Sequence, residues 1–104
     1  MIIEEVQNQN KLSSIKFIIN SFENPLTLFL LELSELEFQK IVNEQKLLIN
    51  FENSSKYILN LLDLCKKNEN HIAHVYISEL SEVTFLIEEK VKNKINEKIK
   101  LILR

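Results

Sequence analysis

The sequence predicts an α+β fold: a small antiparallel β-barrel or sandwich with a helix–strand–helix insert packed on one side. Three observations lead there. Runs with a two-residue apolar period stand at both ends of the chain, before Ser34 and after His71. Between them lie two segments whose apolar residues recur at helical spacing, on either side of the short apolar stretch LLINF. No repeat, linker or low-complexity tract interrupts the 104 residues, so residues 1–104 read as one domain.

The elements follow in order. Ile2 to Val6 form a short strand candidate. In SIKFIIN, Ile15, Phe17 and Ile19 alternate with Lys16 and Asn20, the period of a half-buried strand. SFENP supplies turn residues, and Pro25 fixes φ where the chain restarts. LTLFLLEL, Leu26 to Leu33, is apolar on both faces, and such a strand must be covered on both. One face meets the sheet interior, and the insert is expected to lid the other. Ser34 and Glu37 make an S-x-x-E capping box. The helix it opens sets Phe38, Ile41, Val42 and Gln45 on one face. LLINF reads as a buried strand, and ENSS offers caps for a second helix. That helix stacks Ile58, Leu61, Leu62 and Cys65 in one stripe, with Tyr57 and Leu64 beside it. It ends at KKNEN, where lysines suit a helix C-terminus. The structural lid is therefore Phe38, Ile41, Val42, Leu61, Leu62 and Cys65. Three strands remain. HIAHVYIS puts Ala73, Val75 and Ile77 on one face, and EVTFLIE puts Val83, Phe85 and Ile87 on one face. INEKIKLIL turns Ile95, Ile99, Leu101 and Leu103 inward, leaving Lys98 and Lys100 to blunt an edge.

Composition excludes more than it selects. The chain has no glycine, so a P-loop, a dinucleotide fingerprint and a nucleophile elbow are all impossible. A net charge of −2 argues against a broad nucleic-acid or acidic-membrane surface. The lysines from Lys90 to Lys100 are balanced by Glu88, Glu89 and Glu97 and read as a solvated face. One cysteine forbids an intrachain disulfide, which suits a reducing compartment. The start, MIIEEVQNQN, is acidic where a signal peptide is basic. His71 and His74 would point to opposite faces of a strand, and with Cys65 they fall short of a closed metal site. Cys65 lies on an apolar stripe, where a thiol is inert. The pairs Glu4–Glu5, Glu35–Glu37 and Glu88–Glu89 read as surface carboxylates. No catalytic residue, cofactor or metal is expected.

A resemblance adds what composition does not. Pro25, the strand LFLLEL, then Ser34, Glu35, Phe38, Gln39 and Gln45, followed by LLINF from Leu47 to Phe51 and ILNLLDLC with Leu61, Leu62 and Cys65, resemble the N-terminal head domain of the centriolar cartwheel family, spindle assembly abnormal protein 6. From His71 onward the match is mainly one of strand pattern. The resemblance implies a small β-barrel with a helical insert, a fold shared with DNA end-joining scaffold heads. It implies a non-catalytic scaffold at centrioles or basal bodies, within the cytoplasmic cytoskeleton. Heads of this family pair with each other through a hairpin between the last strands, and a coiled coil after the head makes dimers. Other centriolar proteins are further possible partners. A coiled-coil-free paralogue at flagellar or apical structures, and an end-joining head, are the alternatives.

Three features depart from the family pattern. No heptads follow the last strand before Arg104, which suggests a head-only fragment or a short paralogue. A glycine and a proline of the pattern are replaced by Lys46 and Ser55, which the fold tolerates if φ at Lys46 is negative. The N-terminal part is shorter, which suggests a missing first strand or a truncated gene model. The hairpin that the resemblance makes an interface is EEKVKNKI, where Val91 is the apolar residue between the strands. Val91, flanked by Lys90, Lys92 and Lys94, is the expected head–head knob; the other reading makes it an inward residue that closes the barrel. The flanking lysines would suit an acidic partner surface.

Overall fold

A computed structural model describes residues 1–20, 28–78 and 82–104. The elements run β1 (Ile2–Asn8), β2 (Lys11–Asn20), β3 (Leu28–Ser34), α1 (Glu35–Gln45), a 3₁₀ turn (Phe51–Asn53), α2 (Ser54–Lys67), β4 (His71–Ile77), β5 (Val83–Val91) and β6 (Lys94–Leu103). The turn expected at SFENP and the first two residues of LTLFLLEL lie outside the described residues.

The strands form two antiparallel three-stranded sheets, ordered β1-β2-β3 and β4-β5-β6. Their inner faces share one core. Ile15, Phe17 and Leu33 come from the first sheet, and Val83, Phe85, Ile87, Ile99, Leu101 and Leu103 from the second. Phe38 and Val42 of α1, Phe51 of the 3₁₀ turn, and Ile58 and Leu61 of α2 complete it. Two-residue alternation in the strands and helical spacing between them account for these positions except Phe51.

The arrangement is a sandwich and not a closed barrel. Among the described residues the sheets are linked by one reciprocal backbone pair: Leu30 N–H donates to Arg104 O at 2.9 Å, and Arg104 N–H donates to Leu30 O at 3.0 Å. On the far side, β1 and β4 belong to separate sheets. There α2 takes the place of a ladder. Ser55 Oγ donates to Glu5 Oε1 on β1, and Met1, Leu59, Leu62 and Ala73 line one cleft between β1, α2 and β4. Ser55 thus makes a link at the position where proline was expected.

The insert also differs from a helix–strand–helix unit. Residues 47–50 are irregular and Phe51 opens the 3₁₀ turn, so LLINF is not a strand. Leu47 and Ile49 pack on the core while Leu48 is fully exposed. The segment is bridged by helix ends instead of by a neighbouring strand. Phe51 is buried with its ring 5.8 Å from that of Phe38.

Both helix starts show their chemistry. The Ser34 side chain accepts from Glu37 N–H, and the Glu37 carboxylate accepts from Ser34 N–H, each at 3.3 Å. This is the expected capping box. At α2, Asn53 makes no capping bond, and Ser54 Oγ instead donates to Phe51 O at 2.6 Å.

Two expectations about orientation are corrected. The helices do not cover the outer face of β3. They pack on the inner side with Leu33, and Leu28 and Leu30 on the opposite face stay exposed. The lid residues nevertheless lie in the core, Phe38, Val42 and Leu61 buried and Ile41, Leu62 and Cys65 packed against them. At Lys46 the backbone is left-handed, φ 55° and ψ 45°, so the condition of a negative φ is not met. The residue ends α1 in a left-handed cap, with its N–H donating to Val42 O.

The final hairpin as a candidate self-association surface

The last two strands pair in register from Val83↔Leu103 to Val91↔Lys94. Only Lys92 and Asn93 lie between them. Such a tight connection needs left-handed backbone, supplied here by Lys92 at φ 57°. Lys90 N–H donates to Asn70 O at 2.7 Å, which ties the hairpin to the start of β4.

A register shift decides which residues the hairpin offers. Ile87 opposes Ile99, but the next pair is Glu88↔Glu97, so Lys98 is an extra residue on β6. The bulge reverses the alternation of β6 toward its N-terminus. Ile99, Leu101 and Leu103 are buried as expected. Ile95, expected inward, is 65% exposed on the outer face opposite Lys90. Val91 keeps the inner-face alternation of Val83, Phe85 and Ile87, yet it extends past the core and is 45% exposed. The tip therefore carries an apolar side chain on each face, Val91 and Ile95, with Lys90, Lys92 and Lys94 exposed around them. The inward expectation for Ile95 rests on strict alternation from Ile99, and the bulge at Lys98 inverts that alternation.

Electrostatics at the hairpin base are paired. His71 Nε2 lies 2.9 Å from Glu89 Oε2, and Lys98 Nζ lies 3.5 Å from Glu89 Oε1. His74 Nε2 lies 2.8 Å from Glu88 Oε1. The two histidines engage different carboxylates on opposite faces of β4, as their spacing requires. Among the described residues no group of three His, Cys, Asp or Glu side chains comes together. Burial raises the Cys65 thiol above its ordinary range. Burial also raises the Tyr57 hydroxyl, against the opposing charge of Lys98.

Comparison with known proteins decides the family. A sequence model described as the centriolar protein SAS N-terminal domain matches residues 1–103. The chain belongs to the SAS-6 N-terminal domain family. A search by sequence among curated proteins gives no significant match. Among solved structures, an N-terminal fragment of Leishmania SAS-6 containing parts of its coiled coil domain is similar, with a TM-score of 0.77 and 20% identity. That match covers 97% of this chain and 57% of the Leishmania chain. The N-terminal domain of C. elegans SAS-6 is similar with a TM-score of 0.80 and 20% identity, covering 98% of this chain and 74% of that one. A stabilised ceSAS-6 dimer gives 0.80 and 19% identity, with 98% and 76% covered. This chain thus spans little more than half of the first of these structures. At such identities the likeness is one of fold, and the family membership makes this a centriolar structural domain.

Proposed function

We propose that the chain is a non-catalytic head domain that associates with copies of itself and builds the cartwheel of centrioles or basal bodies. The observation that carries this is the final hairpin. Its two-residue tip holds Val91 45% exposed beyond the core, at the place the family resemblance makes the head–head contact. Val91 is the knob, and Lys90, Lys92 and Lys94 steer it toward an acidic surface on the neighbouring copy. Valine offers less area than an aromatic ring, so each contact is weak and depends on several acting together. Sedimentation of the chain over a range of concentrations, wild type beside Val91→Asp, tests this. Association that the substitution weakens supports the reading. Association that Val91→Asp leaves unchanged removes Val91 from the interface.

A further inference from the structure

The outer edge of β4 has no strand partner among the described residues, and it is built unlike a protected edge. Soluble proteins guard such edges with charges, proline or bulges. The strand HIAHVYI has no lysine, arginine, aspartate, glutamate or proline, and it pairs with β5 without a bulge. Edge strand β1, by contrast, carries Glu4 and Glu5, the latter bonded to Ser55.

Backbone parity shows which groups the edge offers. Lys90 N–H bonds Asn70 O and Ser78 N–H bonds Glu82 O, so even-numbered residues of β4 point their backbone groups at β5. The N–H and C=O groups of Ala73, Val75 and Ile77 therefore point away from it. α2 approaches at Ala73, where both line one cleft. The free part carries the apolar side chains: Val75 is 51%, Tyr76 53% and Ile77 70% exposed. Tyr76 is already held in place, its ring stacked on His74 at 5.6 Å, and His74 in turn meets Glu88.

We infer that this edge is a homotypic docking site, at which β4 pairs antiparallel with β4 of a second copy about a two-fold axis at Tyr76. That register follows from the parity. Val75 and Ile77 of one copy exchange backbone hydrogen bonds with Ile77 and Val75 of the other, and the two Tyr76 side chains meet at a non-hydrogen-bonded position. Aromatic and β-branched cross-strand pairs are favourable, and like charges opposite each other are not. A strand free of carboxylates and ammonium groups has nothing to repel in its own copy, which is why a second copy is the occupant. The paired segment is short, so the contact is weak alone and gains its effect beside another contact. It is independent of the final hairpin.

Two measurements on the full chain test this. In sedimentation, the Val91→Asp protein retains concentration-dependent dimers, and adding Val75→Lys weakens them at least about tenfold, because two ammonium groups then flank the axis. In a Cys65→Ser background under mild oxidation, Tyr76→Cys forms a covalent dimer, because non-hydrogen-bonded partners bring Cα atoms within about 4.5 Å. Ile72→Cys, exposed on the same face but far from the axis, forms at least about tenfold less. Equal crosslinking at both positions, or none at either, overturns the register and the site, even if Val75→Lys fails to fold. Val91→Asp protein that stays monomeric at every concentration overturns it as well. Association that Val91→Asp weakens without abolishing concerns the hairpin reading and not this one.

Discussion

Gln45 and Lys100, on different elements, are joined by two hydrogen bonds. Gln45 Nε2 donates to Lys100 O at 2.7 Å, and Lys100 N–H donates to Gln45 Oε1 at 2.9 Å. The Leu30–Arg104 pair joins β3 to the end of β6, and Lys100 lies four residues before Arg104, with its backbone groups facing away from β5. The side-chain amide at the end of α1 stands in for a strand residue there. Tyr57 does the same more loosely, its hydroxyl donating to Lys98 O at 3.4 Å.

Gln45→Ala leaves both Lys100 backbone groups to water at a partly open site. The expected loss is about 1–2 kcal/mol, near one unit for each hydrogen bond. For a domain of this size that lowers the melting temperature by roughly 4–8 °C per kcal/mol. Thermal unfolding followed by circular dichroism checks it, and an unchanged melting temperature would show that the amide bonds add nothing.

Lys46→Gly is expected to stabilise. Left-handed backbone costs a residue with a Cβ roughly 1 kcal/mol relative to glycine. The cap N–H to Val42 O is kept, since glycine retains its own N–H. A urea midpoint shifted upward with an unchanged slope is the expected result, and a downward shift would contradict the left-handed assignment.

The two raised groups set the alkaline limb of stability. Burial raises Cys65, and burial raises Tyr57 against Lys98. The folded chain holds both protons more tightly than the unfolded chain. Their contribution is complete below the ordinary values and is lost as pH rises through the folded ones. Chemical denaturation from about pH 8 to pH 11 should show a falling midpoint, less steep in Tyr57→Phe. Alkylation of Cys65 near pH 8 should be slower in the folded chain than in urea.

The core was legible wherever period alone decides burial. Phe17, Phe38, Ile58, Phe85 and Leu101 fall at positions that alternation or helical spacing marks. The capping box at Ser34 was legible because it is a local chemical rule. The rest was set by tertiary context. LLINF is as apolar as a strand, but no neighbour offers it a ladder. Leu28 and Leu30 are apolar yet exposed, because the chain turns at Ser34 toward the inner side. Ile95 faces outward because one extra residue at Lys98 inverts the alternation. At the candidate site the family resemblance indicated the hairpin, and the bulge determined that Ile95 joins Val91 at its tip. At Lys46 the family pattern has a glycine, and the left-handed backbone that a glycine suits is kept by a residue with a Cβ.

The seam where α2 stands between β1 and β4 has a mechanical consequence. A ladder of backbone bonds yields all together, whereas a joint of side chains can part locally while both sheets persist. Slow amide exchange should then concentrate in β2, β5 and β6, and β1 with the first turns of α2 should exchange through partial openings that cost less than unfolding. Such a molecule is stiff across its shared core and compliant along one side, so a neighbouring copy pulling on the hairpin would strain the closed side least.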